Sequence, residues 1–134
     1  MGLAERYVND FRVIQYNNAP LTSKQMLALY EEAHEFLSKT LATPFQGKTV
    51  VITHFPPSYD ACHPRFQGSE LSAYFNAVAD DLIRIYQPDA WLYGHTHARV
   101  DIEVHGVPLY SNPLGYPEED SHITGFDGER LIRI

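Results

Sequence analysis

Two short runs, Thr49-Val50-Val51-Ile52-Thr53 and Ala90-Trp91-Leu92-Tyr93, are separated by a stretch of helical periodicity. Neither run alternates between apolar and polar residues, which is the pattern of strands buried on both faces of a parallel sheet. Between them apolar residues recur at Leu71, Tyr74, Phe75, Val78, Leu82, Ile83 and Tyr86. Pro88 closes that period, because its ring cannot continue a helix. Strand, helix, strand is a βαβ unit, so the two strands are expected to lie parallel. The unit predicts an α/β fold built on a mixed β-sheet with flanking helices.

The remaining segments add to that frame. Thr22-Ser23-Lys24-Gln25 has the form of a capping box, and apolar residues then recur at Met26, Leu29, Tyr30, Ala33, Phe36, Leu37 and Leu41, which predicts an amphipathic helix ending near Pro44. Beyond Gly94 the signals turn antiparallel. Residues 100–104 and 107–110 flank His105-Gly106, and Asp127-Gly128 between 123–126 and 131–134 predicts a second hairpin. No repeat, low-complexity tract or linker divides the sequence, so residues 1–134 are read as a single unit.

Composition narrows the function. With 44% hydrophobic and 20% charged residues the chain reads as a soluble globular protein, and no apolar stretch approaches the ~20 residues a spanning helix needs. Met1-Gly2-Leu3-Ala4-Glu5-Arg6 lacks the apolar core of a signal peptide, and a single cysteine, Cys62, fits a reducing compartment. A cytoplasmic location follows, with no membrane association. Ten Lys plus Arg against seventeen Asp plus Glu give a net charge of −7, which argues against nucleic acid as a steady partner.

Seven histidines stand out. Both strands of the βαβ unit end in histidine, at His54 and at Gly94-His95-Thr96-His97, and functional crevices of α/β sheets lie beyond the carboxyl ends of parallel strands. In an extended segment His95 and His97 would point the same way, while Gly94 would allow an unusual backbone geometry. His54, His95 and His97 are therefore candidate metal ligands, since imidazole suits Zn, Mn, Fe and similar ions. His34 is read as solvated on a helix's polar face. His63, His105 and His122 are read as surface residues, Cys62 as a bystander, and the Asp120-Ser121-His122 spacing as chance.

The segments Val50-Val51-Ile52-Thr53-His54-Phe55-Pro56-Pro57-Ser58 and Pro88-Asp89-Ala90-Trp91-Leu92-Tyr93-Gly94-His95-Thr96-His97 resemble the calcineurin-like metallophosphoesterases. Asp10-Phe11-Arg12-Val13-Ile14, Ser111-Asn112-Pro113-Leu114-Gly115-Tyr116-Pro117 and Phe126-Asp127 agree with that likeness. The resemblance implies an α/β/β/α sandwich and a hydrolase of phosphomonoesters or phosphodiesters, acting on a small molecule or a phosphoprotein. It also implies two divalent or trivalent ions such as Mn, Fe or Zn, with His54 and His95 on one and His97 on the other. Two such ions can acidify a shared water and neutralise charge on the phosphate. Tyr93 stands where many relatives carry a further histidine.

The family's D-x-H, G-D-x-x-D and G-N-H-[ED] segments do not precede His54, so the chain resembles the C-terminal half of such a domain. Three neutral imidazoles offer little to offset repulsion between two cations, so the centre is expected to be incomplete in this chain. The alternatives are a non-catalytic half-domain that associates as a homodimer or through an exposed sheet edge, and a mononuclear His₃ site. An H-x-H amidohydrolase barrel does not fit, because too few residues follow His97 for a barrel of about 250 residues.

Overall fold

The computed structural model describes residues 2–62, 68–119 and 121–134. Two short helices, α1 (Gly2–Tyr7) and α2 (Asp10–Val13), lead into a small hairpin of β1 (Gln15–Tyr16) and β2 (Ala19–Pro20). Asn17 and Asn18 turn that hairpin with φ of 52° and 63°, left-handed geometry that asparagine tolerates. Helix α3 (Ser23–Leu41) follows. Its capping box forms as expected: the Thr22 hydroxyl accepts from the Gln25 amide, and the Gln25 side chain accepts from the Thr22 amide at 2.9 Å.

Strand β3 (Val50–Ile52) opens the main sheet, and a 3₁₀ turn at Tyr59–Ala61 follows it. Next come α4 (Ser72–Phe75), α5 (Asp80–Tyr86), β4 (Ala90–Tyr93), β5 (Val100–Val104), β6 (Val107–Ser111) and α6 (Ser121–Thr124). The strand order is β3-β4-β6-β5. β3 and β4 are parallel with Val51 opposite Trp91, β4 and β6 are parallel, and β5 pairs antiparallel with β6. The mixed sheet is thus the one expected. His105 and Gly106 turn the β5–β6 hairpin at φ of 52° and 85°.

The sheet's core gathers Val51, Leu82, Ile83, Trp91, Val107 and Leu109. The Trp91 indole N–H donates to the Thr53 hydroxyl at 3.0 Å, tying the exit of β3 to β4. A second cluster of Ala4, Val8, Phe11, Leu21 and Tyr74 lies among the N-terminal elements.

Three sequence expectations are corrected. β3 is an edge strand buried on one face only: Val51 is covered, while Val50 and Ile52 are 36% and 73% exposed. The period from Leu71 to Tyr86 is two short helices, because the intervening chain extends to donate from the Ala77 and Ala79 amides to the carbonyls of Pro56 and Pro57 at 3.0 and 2.7 Å. The second hairpin does not form. Asp127 instead exchanges hydrogen bonds with the Asn112 side chain, at 2.8 and 3.0 Å, which holds the turn against the loop after β6.

Candidate metal centre at the strand ends

β3 and β4 end side by side, so the chain leaves the sheet at His54 and at Gly94-His95 on neighbouring strands. The Gly94 amide donates to the His54 carbonyl at 3.1 Å, extending the ladder one step beyond β3. The left-handed backbone falls on the histidines themselves: φ is 68° at His95 and 48° at His97, and Gly94 has no positive φ. The extended segment expected here, with its alternation of side chains, is replaced by a tight turn.

His54 and His95 come together. His54 Nε2 lies 3.2 Å from His95 Nδ1, with the ring centroids 5.0 Å apart. Phe55 and Phe75 close around His95, at centroid distances of 4.4 and 5.6 Å, the second stacked at 30°. Burial, then the neighbouring His54 and His97 imidazoles, push the His95 pKa down to about 4, against a smaller upward pull from Asp10. The ring is therefore neutral at physiological pH and keeps a lone pair for a ligand.

His97 turns to a different partner. Its Nδ1 lies 2.7 Å from Glu119 Oε2, and the Tyr116 ring meets it edge-on at 4.5 Å. The Tyr116 amide donates to the same oxygen at 2.8 Å and, with His97, holds the Glu119 carboxyl below the usual carboxylate range. An imidazole that donates its Nδ1–H to a carboxylate so placed presents Nε2 to a metal, the orientation that metal-binding histidines commonly receive from a neighbouring carboxylate.

The aromatic wall continues to the N-terminal helices. The Tyr74 hydroxyl donates to Asp10 Oδ2 at 2.6 Å, and burial, with Asp10 beside it, pushes that hydroxyl's pKa up. Tyr74 packs against Phe11 at 5.3 Å and against Phe75 at 5.1 Å. Phe75 in turn stacks on His95, so Asp10 and His95 are linked through one hydrogen bond and two ring contacts.

The other histidines are placed as follows. His34 is not free in solvent: its Nε2 lies 3.2 Å from Asp81 Oδ1, which ties α3 to α5. His105 is exposed in its turn, 3.8 Å from Asp80, and His122 is exposed on α6. Cys62 is buried, while His63 and Asp120 lie outside the described residues. Glu119 and the aromatic box are additions that sequence reasoning missed. The tendency of a ligating histidine to pass its second N–H to a carboxylate calls for an acidic residue, but spacing gives no clue to which one.

The donor set fits a metal in part. A separation of 3.2 Å is what two nitrogens on one ion adopt, about 3.0–3.4 Å for bonds of ~2.0–2.1 Å. Among the described residues, however, no three His, Cys, Asp or Glu side chains are gathered to hold one ion.

Comparison with known proteins bears on the family and the fold. The profile of the calcineurin-like phosphoesterases matches residues 4–99, more than half of the chain, and includes His54, His95 and His97. No curated protein matches the chain at a significant level. Among solved structures, the phosphopantetheinyl hydrolase of Mycobacterium tuberculosis superposes with a TM-score of 0.61 at 21% identity, over 87% of this chain and 41% of that one. At that identity the likeness is one of fold, and the chain spans less than half of its structural relative. The match over residues 4–99 places this chain in the calcineurin-like phosphoesterase family.

Proposed function

We propose that the protein serves phosphate-ester hydrolysis at a metal centre in which His54 and His95 hold one ion and His97 the other. The observation that carries this reading is the His54–His95 pair, with Nε2 and Nδ1 3.2 Å apart, beside a His97 whose Nδ1 lies 2.7 Å from Glu119. Family membership and a structural neighbour named as a hydrolase support it. When bound, a divalent metal supplies positive charge for phosphoryl oxygens and Lewis acidity toward water. The chain's own part is to present three imidazole nitrogens. Phe55 and Phe75 shield His95 from water, and Glu119 fixes the tautomer of His97. Substrates on this reading are small-molecule phosphate esters or phosphoproteins in the cytoplasm, and not nucleic acids.

Neutral imidazoles leave the mutual repulsion of two cations uncompensated, so a full centre needs a carboxylate from another polypeptide segment or chain. Titration calorimetry with Mn²⁺ and Zn²⁺ tests the binding, and 4-nitrophenyl phosphate with Mn²⁺ tests the activity. Metal binding lost in His95→Ala is expected; absence of metal binding by the intact chain would sink the reading. Turnover by the isolated chain, abolished in His95→Ala, would instead overturn the requirement for an outside carboxylate.

One observation favours a second reading, a half-domain that works by association. β3 is a sheet edge with Ile52 73% exposed, a surface suited to pairing with a second copy or another chain. Light scattering should find a dimer at micromolar concentration, and a monomer at high concentration would refute this reading.

A further inference from the structure

A cavity of about 680 Å³ lies between α3, residues 73–79 and the sheet, within the range of small-molecule sites, ~300–1,000 Å³. Helix α3 buries no residue completely, and part of its apolar side, from Met26 to Leu37, faces this space. That stretch is roughly 17 Å long at ~1.5 Å per residue. Val78 and Trp91 also line the cavity, and among the described residues no Lys, Arg, Asp or Glu does. Two lining residues belong to the histidine site as well: His54, whose Nε2 is 3.2 Å from His95, and Phe55, whose ring centroid is 4.4 Å from that of His95. The cavity and the imidazole pair share a wall.

Away from His34, His54 and Asn76 the wall is mostly apolar, which suits a hydrocarbon better than a phosphate. The stretch of α3 that lines the cavity is long enough to lie beside an extended chain. We infer that the cavity receives an unbranched alkyl chain on the leaving alcohol of a phosphate ester, whose phosphoryl group rests against His54 and His95. This inference rests on the phosphoester reading above. In the reaction water's oxygen forms the new P–O bond, the ester P–O bond breaks, and a proton passes to the departing alcohol oxygen. The products are inorganic phosphate and an alkanol with its chain in the cavity.

The sole tryptophan, Trp91, lines the cavity and reports on its occupancy without any need for turnover. Titrating the full chain with 1-alkanols from butanol to octanol should change Trp91 emission, with affinity rising roughly three- to fourfold per methylene. Ala33→Phe fills the cavity from an exposed position on α3 and should weaken octanol binding at least about tenfold; Ala77→Leu should do the same from residues 73–79. Circular dichroism of both variants checks that they fold.

The second arm measures by calorimetry the affinity of the full chain for octyl phosphate and methyl phosphate, with and without Mn²⁺. Octyl phosphate is expected to bind at least about tenfold more tightly than methyl phosphate, an advantage that collapses in Ala33→Phe. Equal Mn²⁺-dependent affinity for both esters, with no response of Trp91 to octanol, overturns the alkyl subsite and leaves the phosphoesterase reading standing. Octanol binding that Ala33→Phe weakens, with octyl phosphate bound no more tightly with Mn²⁺ than without it, overturns the substrate assignment and leaves a hydrocarbon site. No alkanol binding and no Mn²⁺-dependent binding of either ester overturns both.

Discussion

The sheet core and the N-terminal cluster hold their elements by different means. Around the sheet, Leu82, Ile83, Trp91 and Leu109 are almost fully buried, drawn from α5, β4 and β6, and each is touched from several sides. The N-terminal cluster gathers Ala4, Val8, Phe11 and Leu21 from short elements around Tyr74, whose ring packs on Phe11 and whose hydroxyl reaches Asp10. The first region is stabilised by area, the second by a few directed contacts. The second also adjoins the candidate site, because Tyr74 is followed by the Phe75 that stacks on His95. Loss of the N-terminal cluster would therefore disturb the site before it disturbs the sheet.

Substitutions in each region test that difference. Leu109→Ala should have the largest effect, lowering stability by about 3–5 kcal/mol in urea denaturation and by more than Phe11→Ala does. The reverse order would break the comparison. Glu119→Gln should lower metal affinity by about ten- to a hundredfold in calorimetry while leaving the urea midpoint nearly unchanged, because it removes the acceptor that orients His97. Tyr74→Phe should cost about 1–1.5 kcal/mol and shift the His95 imidazole resonances, sharpening the link between cluster and site.

The last effect is a pH dependence. His95 has a pKa of about 4 in the folded chain against 6.5 as the ordinary value. Below pH 6.5 the unfolded chain takes the proton first, so stability should decline as pH falls from about 6.5 toward 4 and level off below that. Partial exposure of the ring reduces the size of this decline. His95→Gln should remove that part of the profile; an unchanged profile would show that other groups cause it.

Much of the fold was legible in the sequence because its signals are local. The capping box at Thr22 and Gln25 and the β-branched and aromatic runs at residues 49–53 and 90–93 each reflect an intrinsic backbone preference. The misreadings arise where a distant partner decides. Asn76 to Ala79 leave the helical period because the backbone of Pro56 and Pro57 offers acceptors, and Asp127 leaves its hairpin because Asn112 binds it. At the site, the pairing of His54 and His95 was foreshadowed by strand-end placement. Glu119 was not, since a loop residue announces no partner by periodicity. The left-handed turn at His95 and His97 was also hidden, because histidine carries no strong sign of such a backbone.

That turn bears on how the chain could change over time. At φ of 68° and 48° an L side chain is strained by up to roughly 1–2 kcal/mol, and glycine or asparagine would occupy either position more comfortably. A lineage freed from the chemistry of these two imidazoles would gain stability by losing them. Ranking variants by thermal tolerance alone would discard His95 and His97 early, so selections for a sturdier protein should hold both positions fixed.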